Sequence, residues 1–173
     1  MVHLSFLRDL YGDKGLVKFR GHKNAITEVA FVELPDTLPV VVSSSKDRLL
    51  KVWDLTAQHC VQTVVGHTSE VWTFALSPTQ QRIVSASNEA ELRVFKVLSA
   101  EELDALKQKE ASKPKGDGST PAPINSFDEL EADRRLEFIG TVTRKVNDRP
   151  NRIKFTLDGT LFAVQVRPRS LSF

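Results

Sequence analysis

One cysteine, Cys60, in 173 residues excludes an internal disulfide framework, and no Cys/His cluster has the spacing of zinc ligands. No apolar run is long enough for a bilayer-spanning helix, and the N-terminal MVHLSFLRDLYGDKG has too short an apolar stretch and too early a charge for a signal peptide. Neither sign of charge dominates. Lys plus Arg is 24 against 22 Asp plus Glu, which removes support for a whole-chain nucleic-acid clamp or a strongly charged tail. With 40% hydrophobic and 27% charged residues, the expectation is an ordinary soluble globular chain in a reducing, intracellular compartment. No cofactor, metal, membrane or small-molecule substrate is expected.

What the chain does have is repetition. DLYGDKGLVKFRGH (9–22) overlays DLTAQHCVQTVVGH (54–67) at a constant offset of 45, matching Asp9 to Asp54, Leu10 to Leu55, Gly21 to Gly66 and His22 to His67. VVVSSSKDRLLKVWD (40–54) corresponds to IVSASNEAELRVFK (83–96) at an offset of 42, a short deletion between strands accounting for the change. A period in the low to mid forties is that of a propeller blade and excludes the shorter helical repeats. Short β-prone runs fill each unit: 29–31, 39–44, 49–53 and 61–65, then 71–76, 82–87 and 92–97. Residues 136–145 read as an outer strand, and 152–166 as two strands around the Asp158-Gly159 turn.

Between these blocks the composition changes. Ser99 followed by Glu102 is a capping box, so a short helix is expected from about residue 100. KPKGDGSTPAP (113–123), with three prolines and two glycines, reads as a flexible linker. Residues 99–137 carry ten acidic and six basic side chains. Residues 141–173 carry seven basic and two acidic ones, read as solvated charge on outer strands. The expected fold is all-β, a partial β-propeller of about two complete four-stranded blades plus parts of two more, with a short helix and a looped-out insertion. The domain reading is 1–20 as the end of a preceding blade and 21–65 as the best-formed repeat. Residues 66–98 with 136–145 form a degenerate repeat split by the insertion 99–135, and 146–173 an incomplete blade.

Gly21-His22 and Trp53-Asp54, with Ser43 and Asp47 between them, resemble a WD repeat. The resemblance implies a hydrogen-bonded structural tetrad of His22, Ser43, Asp47 and Trp53, and a degenerate copy made of His67, Ser85, Glu89 and Phe95. The chemistry suits such a staple, because an indole N–H only donates, a hydroxyl does both, and a carboxylate fixes the histidine tautomer. The same set contains a Ser, a His and an Asp, so a hydrolase has to be weighed; that reading needs an exposed nucleophile and an oxyanion hole. Two copies per chain favour the staple. Phe95 cannot donate, so the second copy is expected to rely more on packing. Trp72, at the start of an inner strand, is either a packing residue or a partner contact. His59-Cys60 sits in a turn and is no metal site.

LVKFRGHK (16–23), SSSKDRLLKVWDLTAQHCVQTVVGHTSEVW (43–72) and ELRVFKVLSAEEL (91–103) are similar to tandem-propeller WD-repeat components of the small-subunit processome. Gln58-His59-Cys60 and Glu70-Val71-Trp72 are the most specific part, since the generic repeat does not dictate them. VRPRSLSF at the end departs from the pattern. The resemblance implies a non-catalytic scaffold in the nucleus and nucleolus that acts in small nucleolar RNA-guided processing of pre-rRNA and small-subunit assembly. The implied partners are other WD-repeat and processome proteins, with small nucleolar RNA and pre-rRNA inside the assembly. The alternative is a cytosolic WD-repeat adaptor for another complex, such as a ubiquitin ligase. Propellers close with ~4 to 8 blades, so residues 1–173 are also expected to be an incomplete array, a fragment or truncated product that is poorly stable alone.

Overall fold

A computed structural model describes residues 7–8, 15–33, 39–111, 134–145 and 148–167. The linker expected over 113–123, the first six residues and the segment 168–173 lie outside the described residues.

The strands form small antiparallel sheets rather than one continuous one. β1 (Leu7–Arg8) pairs with β2 (Gly15–Val17). A four-stranded sheet follows, ordered β3 (Ile26–Val32), β4 (Val40–Ser45), β5 (Leu50–Asp54) and β6 (Cys60–Val64). The next contains β7 (Val71–Leu76), β8 (Arg82–Ser87), β9 (Glu91–Val97) and β10 (Leu136–Thr143). A hairpin of β11 (Arg149–Phe155) and β12 (Phe162–Arg167) completes the set. β3 thus starts three residues earlier than hydropathy suggested, and β11 starts before the expected 152. Backbone pairing recruits polar residues at the strand ends that carry no apolar signal.

The helix α1 (Ala100–Ala111) leaves the sheet after β9, and β10 returns to pair with β9 from Leu136↔Val97 to Thr143↔Glu91. Ser99 and Glu102 close the capping box reciprocally: the Glu102 amide donates to Ser99 Oγ at 3.4 Å, and the Ser99 amide to Glu102 Oε2 at 3.2 Å.

Side chains alternate between the two faces of each sheet, and each face packs on a neighbouring sheet. Val40, Val42 and Val52 of the first blade meet Ile83, Phe95 and Leu136 of the second in one buried cluster. Val84, Ala86 and Leu92 on the second blade's other face meet Ile153 of the β11–β12 hairpin. Val41 and Trp53 face backward onto Phe19, which follows β2. Because β4 is covered on both sides, all six of its residues are buried, three serines included. The inner strands stack in the order β3, β7, β11, which is the radial arrangement of a propeller.

Candidate functional site

The four residues of the first staple come from the loop before β3 (His22), β4 (Ser43), the β4–β5 turn (Asp47) and β5 (Trp53). All are brought together. Trp53 Nε1–H donates to Ser43 Oγ at 2.8 Å, and the Ser43 hydroxyl lies 2.8 Å from His22 Nε2. His22 Nδ1 lies 2.8 Å from Asp47 Oδ2. These partners assign the tautomer: Nδ1–H donates to the carboxylate and Nε2 accepts from the serine. Asp47 also accepts from the amides of Lys23 (2.9 Å) and Leu49 (3.1 Å), tying both flanking loops to one side chain. Arg48 adopts a left-handed φ of 74° in this turn.

Burial disfavours the His22 imidazolium, and its pKa falls below the ordinary 6.5 although Asp47 pulls it up. Burial also opposes the Asp47 carboxylate, but the Lys23 amide, His22 and the Leu49 amide outweigh it and lower its pKa. Ser43 is wholly buried and its oxygen is engaged by two partners. A Ser–His–Asp relay sealed in this way has no room for a substrate carbonyl, so its chemistry is positional.

The second staple joins three of its four residues by hydrogen bonds. His67 Nε2 lies 2.7 Å from Ser85 Oγ, and Nδ1 lies 3.3 Å from Glu89 Oε2. Glu89, one methylene longer than Asp47, also gathers the Thr68 hydroxyl (2.5 Å), the Thr68 amide and the Ser69 amide (3.0 Å). Burial opposes its charge, yet these donors and His67 bring it down to about 2. Phe95 is buried without a polar link and stacks edge-on with Phe138 of β10, centroids 5.8 Å apart.

Trp72 lies partly buried on β7, with the Arg149 guanidinium 3.3 Å and the Lys46 ammonium 4.6 Å from its ring centroid. It therefore packs between units, under a cation from the preceding blade and another from the following hairpin. His59 is exposed in its turn, Cys60 is a free thiol, and no metal-ligating cluster occurs among the described residues.

Several residues that organise the site give no sequence signal. Gln62 of β6 accepts from the Arg135 and Leu136 amides (2.9 and 2.8 Å) and donates to the Leu136 carbonyl (2.8 Å), pinning β10 where the chain re-enters the sheet. Glu28 accepts from the Thr73 hydroxyl (2.6 Å) and the Phe74 amide (3.0 Å), stitching two inner strands. The glycine of each Gly-His pair admits a neighbour. A Cβ on Gly21 would lie 3.0 Å from the Trp53 ring, and one on Gly66 would lie 2.8 Å from the Arg93 guanidinium.

The family described as WD domain, G-beta repeat matches residues 14–54 and 58–96. These two stretches are similar to WD40 repeats. The nuclear distribution protein PAC1 of Arthroderma otae is 29% identical over 89 residues, 49% of this chain and 19% of that protein. An uncharacterized WD repeat-containing protein of Schizosaccharomyces pombe is 27% identical over 99 residues, 56% of this chain and 27% of its own. The chain therefore spans about a fifth to a quarter of the length of these curated relatives. Among solved structures, the C-terminal WD40 domain of Sif2 superposes with a TM-score of 0.58 at 16% identity, over 91% of this chain and 34% of the other. The WD40 blade architecture is thereby shared.

Proposed function

We propose that this WD40-repeat chain is a non-catalytic scaffold of the small-subunit processome, acting in small nucleolar RNA-guided processing of pre-rRNA and small-subunit assembly. The observation that carries the scaffold role is the internal pairing of both His–Ser–carboxylate sets, with Ser43 and Ser85 wholly buried: their polar atoms are spent on holding strands. The blades thereby become rigid carriers of surface loops, which is how propellers engage protein partners. The narrower assignment rests on the run from Trp53 to Trp72, whose Gln58-His59-Cys60 and Glu70-Val71-Trp72 positions the generic repeat leaves open. It places the protein in the nucleolus, with other WD-repeat and processome proteins as direct partners and the RNAs within the same assembly.

Tagging the gene at its own locus, purifying from nuclear extract and sequencing the accompanying RNA tests this reading. Enrichment of small-subunit precursor RNA and its guide RNA is the expected result. Stable protein recovered without that RNA would overturn the processome assignment. It would favour the second reading, a cytosolic WD-repeat adaptor for another complex such as a ubiquitin ligase.

A further inference from the structure

The inner strands share one irregularity at the end that carries the Gly-His loops. Register shifts between Ile26 and Glu28, Val71 and Thr73, and Pro150 and Arg152 make Thr27, Trp72 and Asn151 the extra residue of a bulge in β3, β7 and β11. A bulge re-aims its side chain out of the strand's alternation. Of the three, Trp72 gathers charge. Arg149, exposed at the start of β11, holds its guanidinium 3.3 Å from the ring centroid, and Lys46 in the β4–β5 turn brings its ammonium to 4.6 Å. Arg144, just after β10, adds a third cation held by the carbonyls of Ser87, Glu89 and Asp148. None of the three forms an ion pair among the described residues. The acids that could meet them are turned inward: Asp47 and Glu89 accept from the staple histidines and from loop amides. Glu70 forms no ion pair either, and Asp148 acts on Arg144 only from beyond ion-pair distance. Trp72 Nε1–H and Arg144 Nε–H are in addition buried donors without an acceptor. This end of the blades therefore holds donors and positive charge in excess of acceptors, and such a region attracts anions.

We propose that this end of the blades binds an acidic peptide segment of a protein partner, with Arg149 and Lys46 around Trp72 taking its carboxylates. The protein nature of the partner rests on the scaffold role proposed above and not on the processome assignment. The indole holds the guanidinium in place, so less side-chain freedom is lost when a carboxylate takes its N–H groups. Two cations drawn to one ring suit carboxylates on alternate residues of an extended segment, about 6.6 Å apart. A nucleic-acid strand fits less well. With the guanidinium at stacking distance, that face of the ring offers no platform for a base.

Fluorescence anisotropy of the full-length protein with a labelled octapeptide of alternating Glu and Ser tests this at low salt. The same peptide with Gln for Glu, and an octauridylate, are the comparison probes. The Glu peptide should bind and the Gln peptide should not. Arg149→Gln, which keeps a planar group on the ring and removes its charge, should weaken Glu-peptide binding about tenfold, and Lys46→Gln about threefold. Arg152→Gln/Lys154→Gln, a double change of exposed cations on the same strand, should leave the affinity within about twofold. Should Arg149→Gln lose its β signal in far-UV circular dichroism, Lys46→Gln decides. Equal binding of the two peptides, no binding of either, an equal loss in the double variant, or tighter Arg149-dependent binding of the octauridylate would each overturn the proposal. A Glu peptide that fails to bind while precursor RNA still co-purifies overturns this inference alone, and peptide binding without that RNA overturns the processome assignment alone.

Discussion

The two complete blades solve one problem with different residues. In the first, Trp53 fills the space under Gly21 and its N–H closes a chain of hydrogen bonds through Ser43 and His22 to Asp47. In the second, Phe95 is too short and has no donor. The Arg93 guanidinium occupies the space against Gly66, with its Nε left without a partner, and Glu89 gathers the donors of the loop instead. The first blade is held by a directional network spanning three strands' worth of loops. The second is held by a carboxylate at its rim and by aromatic packing onto β10. The serine and histidine are thus the constant element, and the Trp and the acid are adjustable around them.

The largest expected separation comes from the serines. Ser43→Ala strands two buried groups, the Trp53 N–H and His22 Nε2, and at ~1–3 kcal/mol for each unpaired buried group should cost about 3 kcal/mol. Ser85→Ala strands only His67 Nε2 and should cost about 1.5 kcal/mol. Urea unfolding of both variants at constant protein concentration measures the gap; equal losses would break the comparison. The glycines should separate next. Gly21→Ala pushes a methyl into a rigid, buried indole and should cost about 1–2 kcal/mol, whereas Gly66→Ala, at a φ of 159°, keeps a backbone strain even if the flexible end of Arg93 yields and should cost about 2 kcal/mol or more. Thermal melts of the pair, and of Gly66→Ala with Arg93→Ala, test whether the guanidinium is what resists.

The smallest and most widely shared effect is acid sensitivity. Both buried histidines have pKa values below the unfolded 6.5, so the unfolded chain binds more protons as pH falls through that value and stability declines. Asp47 and Glu89 are also lowered, so below their unfolded values near 4 the decline steepens as they too must be protonated. The melting temperature should therefore fall steadily from pH 7 to pH 4.5, and a His22→Phe/His67→Phe double variant should flatten the upper part of that slope. A flat profile in the parent chain would remove the histidines from the account.

Much of this architecture was legible beforehand because it depends on local pattern. The constant offset of 45, the period-2 apolar runs and the Ser99–Glu102 box each specify an element from residues close in sequence, and the elements stand where those signals lie, give or take strand ends. Trp53 and His22 were readable as a pair because Gly21-His22 and Trp53-Asp54, with Ser43 and Asp47 between them, resemble a WD repeat. Gln62 was not: a glutamine on an outer strand looks like any solvated side chain until β10 arrives 74 residues later to meet it. Arg93 was equally silent, since its role depends on the volume Phe95 leaves empty.

The amino-acid sequence by itself determined that the chain folds into repeated four-stranded sheets and which side chains each sheet turns inward, because hydropathy and β-propensity act over a few residues. Only the tertiary structure decided which faces were then covered. Val29 and Phe74 hold the same place in their units and are equally apolar, yet one is exposed and the other sealed. The difference is whether a neighbouring pair of strands stands behind them, and burial is a property of that neighbour's position rather than of the residue.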